Sequence, residues 1–145
     1  MTVTLDPLLK SILDASVGQV ERTLSKVLEC NVYLDIIEQN QLSGTNFVRK
    51  IIITVKDMPV IRAIAKFDSK ILPEQIMTEL LRRKEGIGTI LTRNKIKADR
   101  EVVSLDFKRN GKEVIRKYRI VSNKLVWFEI LEEIRLDYIT ACKNS

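Results

Sequence analysis

The segment Asn46–Val55 restricts the possible folds more than any other part of this chain. Its run of β-branched residues at positions 51–55 is typical of a strand. A turn at residues 56–59 follows, and residues 60–67 then place small and apolar side chains on alternate positions. The two segments predict an antiparallel strand pair. The fold must therefore contain a sheet with an apolar face that other elements cover.

The remaining pattern places helices before this strand pair and both helix and strand after it. Apolar residues recur at intervals of three and four over residues 5–28, which predicts two helices with a break at residues 14–16 and Asp14 or Ser16 as N-cap of the second. A further helix is predicted at residues 73–83. Further strands are predicted at residues 32–38, 100–108, 113–121 and 124–132, with Asn110-Gly111 as a type I′ hairpin turn. We therefore predict an α+β domain with a mostly antiparallel sheet of about six strands, N-terminal helices and one central helix.

Composition favours one globular domain spanning residues 1–145. The length of 145 residues allows a substantial core but is short for two domains. With 45% hydrophobic and 30% charged residues the chain should not be disordered, and no apolar run approaches the roughly 20 residues of a membrane span. The first residues contain neither a basic leader nor a long apolar stretch, so we expect a cytoplasmic protein.

The chain contains no histidine, which removes the usual general base and the commonest metal ligand. Histidine-dependent triads and zinc hydrolases are excluded, and the scattered glycines form no phosphate-binding loop. We expect neither a metal nor a cofactor. The formal charge of +6 fits an anionic partner. Because the basic residues are spread along the chain with few aromatics between them, we expect a solvated basic surface and no nucleic-acid partner.

Arg49 and Glu129 are charged residues inside runs that otherwise have the pattern of buried strands. Alternation places Arg49 on the more apolar side of Asn46–Val55, and Glu129 is the only polar residue among the seven at positions 125–131. A charge in such surroundings must be paired or put to use. The structural alternatives are an edge-strand arginine that reaches solvent for Arg49, and an ion pair with Lys117 or Arg119 for Glu129.

Several features stay open at this stage. The small residues Ala63 and Ala65 share one strand face, which leaves room either for a closely packed helix or for something else. Cys30 and Cys142 are interpreted as small apolar core residues, with a disulfide between them as the alternative. Residues 87–91 fit either an extended or a helical segment, and the tail at residues 139–145 could fray or cover a neighbour.

The order and spacing of several short motifs resemble the chorismate lyase family, specifically its short archaeal and bacterial branch. The matching motifs cover most of the chain and are Leu13-Asp14-Ala15-Ser16-Val17, Phe47-Val48-Arg49-Lys50, Leu72-Pro73, Gly86-Ile87-Gly88, Arg100-Glu101 and Trp127-Phe128-Glu129. The resemblance implies a chorismate lyase-like fold. It also implies a chorismate pyruvate-lyase that converts chorismate to 4-hydroxybenzoate and pyruvate without metal or cofactor.

The resemblance also assigns roles to individual residues. It implies that Arg49 binds the ring carboxylate, that Glu129 meets the ring hydroxyl, and that the backbone at Ile87 and Gly88 helps to hold the carboxylate. Arg49 and Glu129 are thus the predicted catalytic residues. Arg116 shares a strand face with Val114, Tyr118 and Ile120. It could contact the second carboxylate of chorismate or be an exposed hairpin arginine. The implied partner is a small anionic precursor of an aromatic compound.

By resemblance, the same fold also occurs in effector-binding domains of bacterial transcription regulators, which bind small acids or sugars in the same cavity. The alternative function is therefore a non-catalytic module for an aromatic or carboxylated metabolite. Too few residues precede Arg49 for a winged helix together with the sensor's own opening helices. We therefore do not expect a complete repressor.

Overall fold

The strand pair predicted from Asn46–Val55 forms the second and third strands of the six-stranded sheet. In the computed structural model, which describes residues 6–144, strand β2 (Asn46–Val55) pairs antiparallel with β3 (Met58–Asp68). The turn between them consists of Lys56 and Asp57, whose φ angles of 50° and 63° are those of a type I′ turn. This turn follows the right-handed twist of the two strands and sets their register.

Six antiparallel strands form one sheet in the order β1-β2-β3-β6-β5-β4. The other four strands are β1 (Tyr33–Gln41), β4 (Asp99–Lys108), β5 (Glu113–Ser122) and β6 (Leu125–Arg135). Their ends lie within three residues of the predicted ones. The predicted α+β class and the antiparallel sheet are therefore confirmed.

Helices pack on one face of this sheet, which we call the inner face. They are α1 (Pro7–Asp14), α2 (Val20–Leu28), α3 (Glu74–Leu81), α4 (Ile87–Arg93) and α5 (Leu136–Asn144), with a short 3-10 turn at Arg109–Gly111. Apolar residues of α1, α2 and α5 form one buried cluster with the sheet, and those of α3 and α4 form a second. The opposite, outer face carries charged and apolar side chains with no described helix over it.

The start of the second helix differs from the prediction. Asp14 is the last residue of α1 and pairs with Lys10, while α2 begins at Val20 after Gln19. Neither predicted N-cap, Asp14 or Ser16, caps α2. The physical reason is Gly18, whose φ of 86° lets the chain turn in a longer connection than the apolar period suggests. The predicted start of the first helix at residue 5 lies outside the described residues.

Two helices replace the single central helix of the prediction. The first, α3, ends at Leu81, and α4 follows with Gly86, in an extended conformation, as its N-cap. Residues 87–91, whose sequence fits either an extended or a helical segment, are therefore helical. The tail is also ordered as α5, because Ile139 and Cys142 are buried in the core. The predicted type I′ turn at Asn110-Gly111 is wrong, since residues 109–112 form a longer loop between paired Lys108 and Glu113.

The cysteines are small core residues, as interpreted from the sequence. Cys142 is buried and its thiol donates to the carbonyl of Val55 at 3.5 Å, while Cys30 packs against the same cluster and donates to the carbonyl of Leu28 at 3.2 Å. Among the helices of residues 6–144, none combines the length and the apolar composition needed to cross a membrane.

Candidate functional site

A cavity of about 80 Å³ lies between the inner face and the helices, where the two apolar clusters meet. One water needs roughly 10–15 Å³ of such space, so the cavity can hold a small molecule. Its sheet side includes Ile61, Ala63 and Ala65 of β3. Of the two alternatives for these alanines, the structure shows open space over them and not a closely packed helix.

The roof of the cavity is formed where the connection between α1 and α2 meets the start of α4. Gly18 and Gly88 contact each other through their backbones, and a Cβ atom on Gly88 would lie 2.3 Å from the Cα atom of Gly18. No larger residue fits at position 88 without moving backbone. This contact brings Ile87 and Gly88, both predicted binding residues, to the cavity wall. Their predicted role in holding a carboxylate stays a prediction.

Glu132 lines the cavity and forms a buried ion pair with Arg116, which lies behind it and is not part of the cavity wall. The predicted contact of Arg116 with a second carboxylate of the substrate stays a prediction. Arg116 and Glu132 are 1% and 4% exposed, and they face each other across neighbouring strands β5 and β6. Arg116 Nε donates to Glu132 Oε1 at 2.9 Å, and Nη2 lies 2.8 Å from the same oxygen. Arg116 Nη1 also donates to the carbonyl of Leu13 at 3.1 Å, which ties the end of α1 to the sheet. The alternative of an exposed hairpin arginine is wrong.

Two guanidinium groups contact the ring of Tyr118, which lies beside this pair. Arg100 and Arg116 are 4.7 and 4.8 Å from the centre of its ring. Burial of the phenol and the nearby charge of Glu132 raise the pKa of Tyr118, so it stays protonated at neutral pH. Its ring thus provides an aromatic part of the cavity wall that contacts two cations.

Arg100 and Glu21 are the remaining charged residues that line the cavity. Arg100 Nη1 donates to the carbonyl of Ala15, but its Nε atom is buried and has no hydrogen-bond partner within residues 6–144. Glu21 on α2 is half-buried, and burial raises the pKa of its carboxyl. In the described part of the chain, neither residue forms an ion pair. The polar end of the cavity therefore holds hydrogen-bonding capacity that the protein itself does not use.

Arg49 is buried on the inner face, as predicted, but it lies outside the cavity wall. It is 0% exposed, and its Nε donates to Gln39 Oε1 at 2.7 Å. Its Nη1 and Nη2 donate to the carbonyls of Glu85 at 2.7 Å and Leu80 at 2.9 Å. Burial and the charge of Arg83 lower the pKa of Arg49 to about 10, so the cation persists at neutral pH.

This arrangement makes Arg49 an anchor between β2 and the end of α3. The carbonyl of Leu80 lies near the C-terminus of α3, where partial negative charge favours a cation. The alternative of an edge-strand arginine reaching solvent is wrong, because β2 lies between β1 and β3. The role of Arg49 in binding a substrate carboxylate stays a prediction.

Glu129 is exposed on the outer face, so the expectation that it is buried is wrong. Arg49 lies opposite Ala65 in the register of β2 and β3, whereas Glu129 lies opposite Lys66 in the register of β3 and β6. Neighbouring residues in a strand point to opposite faces, so Arg49 and Glu129 are on opposite sides of the sheet. The cross-strand partner of Glu129 on β5 is Arg119. The two predicted catalytic residues do not share a site.

The glutamate of β6 on the inner face is Glu132, which the sequence reasoning missed. The sequence pattern did indicate burial of Glu132. It shares alternate positions of the strand with Phe128, Ile130 and Ile134, which are all apolar. Read together with the apolar face that carries Arg116, this alternation predicts a buried pair. Glu21, Arg100 and Tyr118 had no comparable signal, since only the packing of distant segments brings them to one cavity.

No protein-family model matches the sequence, and no curated protein matches it. Among solved structures, PhnF from Mycobacterium smegmatis aligns with 81% of this chain and 63% of its own chain, at a TM-score of 0.55 and 10% identity. A transcriptional regulator of the GntR family from Bacillus cereus aligns with 73% of this chain and 92% of its own, at a TM-score of 0.49 and 10% identity. The likeness to PhnF shows a shared fold, and this chain spans less than two thirds of the PhnF chain.

Proposed function

We propose that this chain is a binding module for a small aromatic or carboxylated metabolite, which occupies the cavity under the contact between Gly18 and Gly88. The observation that carries the proposal is the cavity itself, with apolar walls on β3 and charged groups at one end. Ligand pockets have this composition, in which a few polar groups fix the orientation of a molecule held mainly by apolar contacts.

The energetic argument is that such a space is costly to keep. Protein interiors pack to the density of organic crystals, so an unfilled cavity costs contacts that larger side chains at Ala63 and Ala65 would restore. Burying Arg116 and Glu132 adds a desolvation cost that an apolar pair would avoid. Both costs are explained if the cavity and its charged end serve to bind a ligand. The fold shared with PhnF is compatible with this reading.

Chorismate pyruvate-lyase activity is the second candidate. What favours it is Glu132, a buried carboxylate at the cavity and next to the protonated phenol of Tyr118. In this version Glu132 takes the position that the resemblance gave to Glu129. Its oxygen is already engaged by Arg116, so it would have to meet the ring hydroxyl while remaining paired. A module that binds a ligand without turnover does not require Glu132 to contact Arg116 and a ring hydroxyl at the same time.

The test combines turnover with thermal stabilisation. The protein is incubated with chorismate, pyruvate and 4-hydroxybenzoate are measured together, and the melting temperature is recorded with chorismate, with 4-hydroxybenzoate and with a panel of neutral and carboxylated metabolites. We expect stabilisation without pyruvate release. Ala65→Leu, which fills the cavity, should abolish stabilisation, whereas Ala141→Leu on the exposed side of α5 should retain it.

Two results would change the assignment. Equal release of pyruvate and 4-hydroxybenzoate, lost in Glu132→Gln, would replace the binding module by the lyase. Stabilisation that survives in Ala65→Leu would place the ligand outside the cavity, and a panel without any stabilising compound would reject the proposal.

A further inference from the structure

We propose that the cavity selects organic anions and that Arg100 is the residue that binds their carboxylate. This inference rests on the proposed function, because it names the chemical class of the ligand for the same cavity.

The first argument is the balance of charge at the cavity. Arg116 and Glu132 neutralise each other through contacts of 2.9 and 2.8 Å. Arg100 forms no ion pair with any acidic residue in the described part of the chain. Glu21 also lines the cavity, but it forms no ion pair with Arg100, and burial raises the pKa of its carboxyl, which disfavours its charged form. The Arg100 guanidinium is thus left at the cavity without a paired carboxylate, and an anionic ligand supplies the missing partner.

The second argument is the unused hydrogen-bond donor. The Nε atom of Arg100 is buried without an acceptor, while Nη1 is held by the carbonyl of Ala15. Leaving a buried donor of a charged group unsatisfied costs free energy, and this cost disappears when an acceptor arrives. The Arg100 side chain also has a hydrogen bond with Tyr118, so Nε is the donor that is left for a carboxylate oxygen. The planar guanidinium fixes the direction in which Nε donates.

The third argument concerns orientation and shape. The ring of Tyr118 lies 4.7 Å below the Arg100 guanidinium, which restricts the plane in which the guanidinium can rotate. Beyond this polar end the sheet side of the cavity is apolar, with Ile61, Ala63 and Ala65. The ligand class is therefore a carboxylic acid with a compact apolar body, and its carboxylate faces β4 and β5.

The experiment measures binding of matched acids and amides by isothermal titration calorimetry on the full chain. The pairs are isobutyrate with isobutyramide and benzoate with benzamide, which have the same shape and differ in charge. We expect at least one acid to bind at least tenfold more tightly than its amide. In Arg100→Gln this preference should fall at least tenfold, with amide affinity unchanged. The outer-face variant Arg119→Gln serves as the matched control and should keep the preference.

Arg100→Gln also loses the bond to the carbonyl of Ala15, so its folding needs a separate check. Arg100→Lys keeps the charge but lacks the planar guanidinium, and we expect it to recover only part of the acid preference. The ratio of acid to amide affinity in the unchanged protein tests the inference whether or not either variant folds.

The outcomes separate this inference from the proposed function. Equal binding of acids and amides, lost in Ala65→Leu, would overturn the role of Arg100 and leave the binding module intact. An acid preference unchanged in a folded Arg100→Gln would also overturn it. Absence of binding by all four probes, together with stabilisation by a neutral metabolite, would reject the anion class alone.

Discussion

Arg49 and Arg116 are both buried on the inner face of the sheet, but their guanidinium groups have different surroundings. Arg49 donates to the amide oxygen of Gln39 and to two backbone carbonyls, all of which are neutral. Arg116 faces the carboxylate of Glu132. Glu132 lines the cavity, whereas Arg49 and Gln39 do not.

The difference indicates two uses of a buried cation. Neutral acceptors can satisfy every nitrogen of Arg49 because they come from the end of a helix, a loop and a side chain that the fold holds in place. That site is complete and serves as a connection between elements. The site around Arg116 contains a pair of opposite charges, an aromatic ring and a second arginine, Arg100, whose Nε atom has no hydrogen-bond partner within residues 6–144. This is the site that we propose a ligand completes.

The largest expected loss of stability follows from breaking the ion pair between Arg116 and Glu132. Glu132→Leu leaves Arg116 charged and buried with no carboxylate partner, and we expect the free energy of unfolding to fall by about 3–5 kcal/mol. Urea denaturation measures this loss. The double variant Arg116→Met with Glu132→Leu should recover most of it, since no buried charge remains. A single-variant loss below about 1 kcal/mol, as for an exposed pair, would show that Arg116 reaches water in solution.

A smaller loss is expected at the complete site. Arg49→Met removes three hydrogen bonds and leaves the buried carbonyl of Leu80 with one donor fewer, so the free energy of unfolding should fall by about 1–3 kcal/mol. Ligand affinity, measured with the best probe from the calorimetric series, should stay within a factor of two or so of the unchanged protein. If stability holds and affinity collapses, Arg49 binds the ligand, as the resemblance implies.

The smallest expected effect is that of substituting Glu21, which forms no ion pair within residues 6–144. Burial raises its pKa in the folded protein, so ionisation opposes folding. The penalty is absent at acidic pH, where the carboxyl is protonated in both states, and it grows as pH rises through the folded pKa. Glu21→Gln should therefore raise the melting temperature at neutral pH and leave it unchanged below the ordinary pKa of glutamate.

Glu101→Gln on the exposed part of β4 is the matched control for this pH series and should show no such trend. A gain for Glu21→Gln that is equal at both pH values would mean that ionisation of Glu21 is not its cause.

The strands were predictable because their signal is local. Alternation placed Arg49 and Arg116 on apolar faces, and both are buried there. The same reasoning failed for Glu129, because its run is apolar on both sides of the strand. Leu125, Val126 and Leu131 are apolar yet exposed, so apolar neighbours did not reveal which face the helices cover. Burial depends on what packs against a strand, and no residue within the strand encodes that.

The candidate site was predictable only in part, because its members come from both ends of the chain. Ile87 and Gly88 were expected at a binding site and lie at the cavity, although their role is untested. The roof contact between Gly18 and Gly88 was not expected, since it joins a loop and the start of a helix that are distant in sequence. Helix α5 was missed for a similar reason, because its stability comes from docking on the core.

By itself, the sequence determined the order of the six strands, the presence of helices before and between them, the alternation that separates two faces, and the absence of histidine chemistry. These follow from local backbone preferences and from side-chain chemistry, which act within a few residues. Only the tertiary structure decided which face is covered, that Arg116 meets Glu132 while Arg49 meets backbone carbonyls, and that Ala63 and Ala65 lie beneath open space. Strand register and helix docking decide these contacts, because they bring together groups that are far apart along the chain.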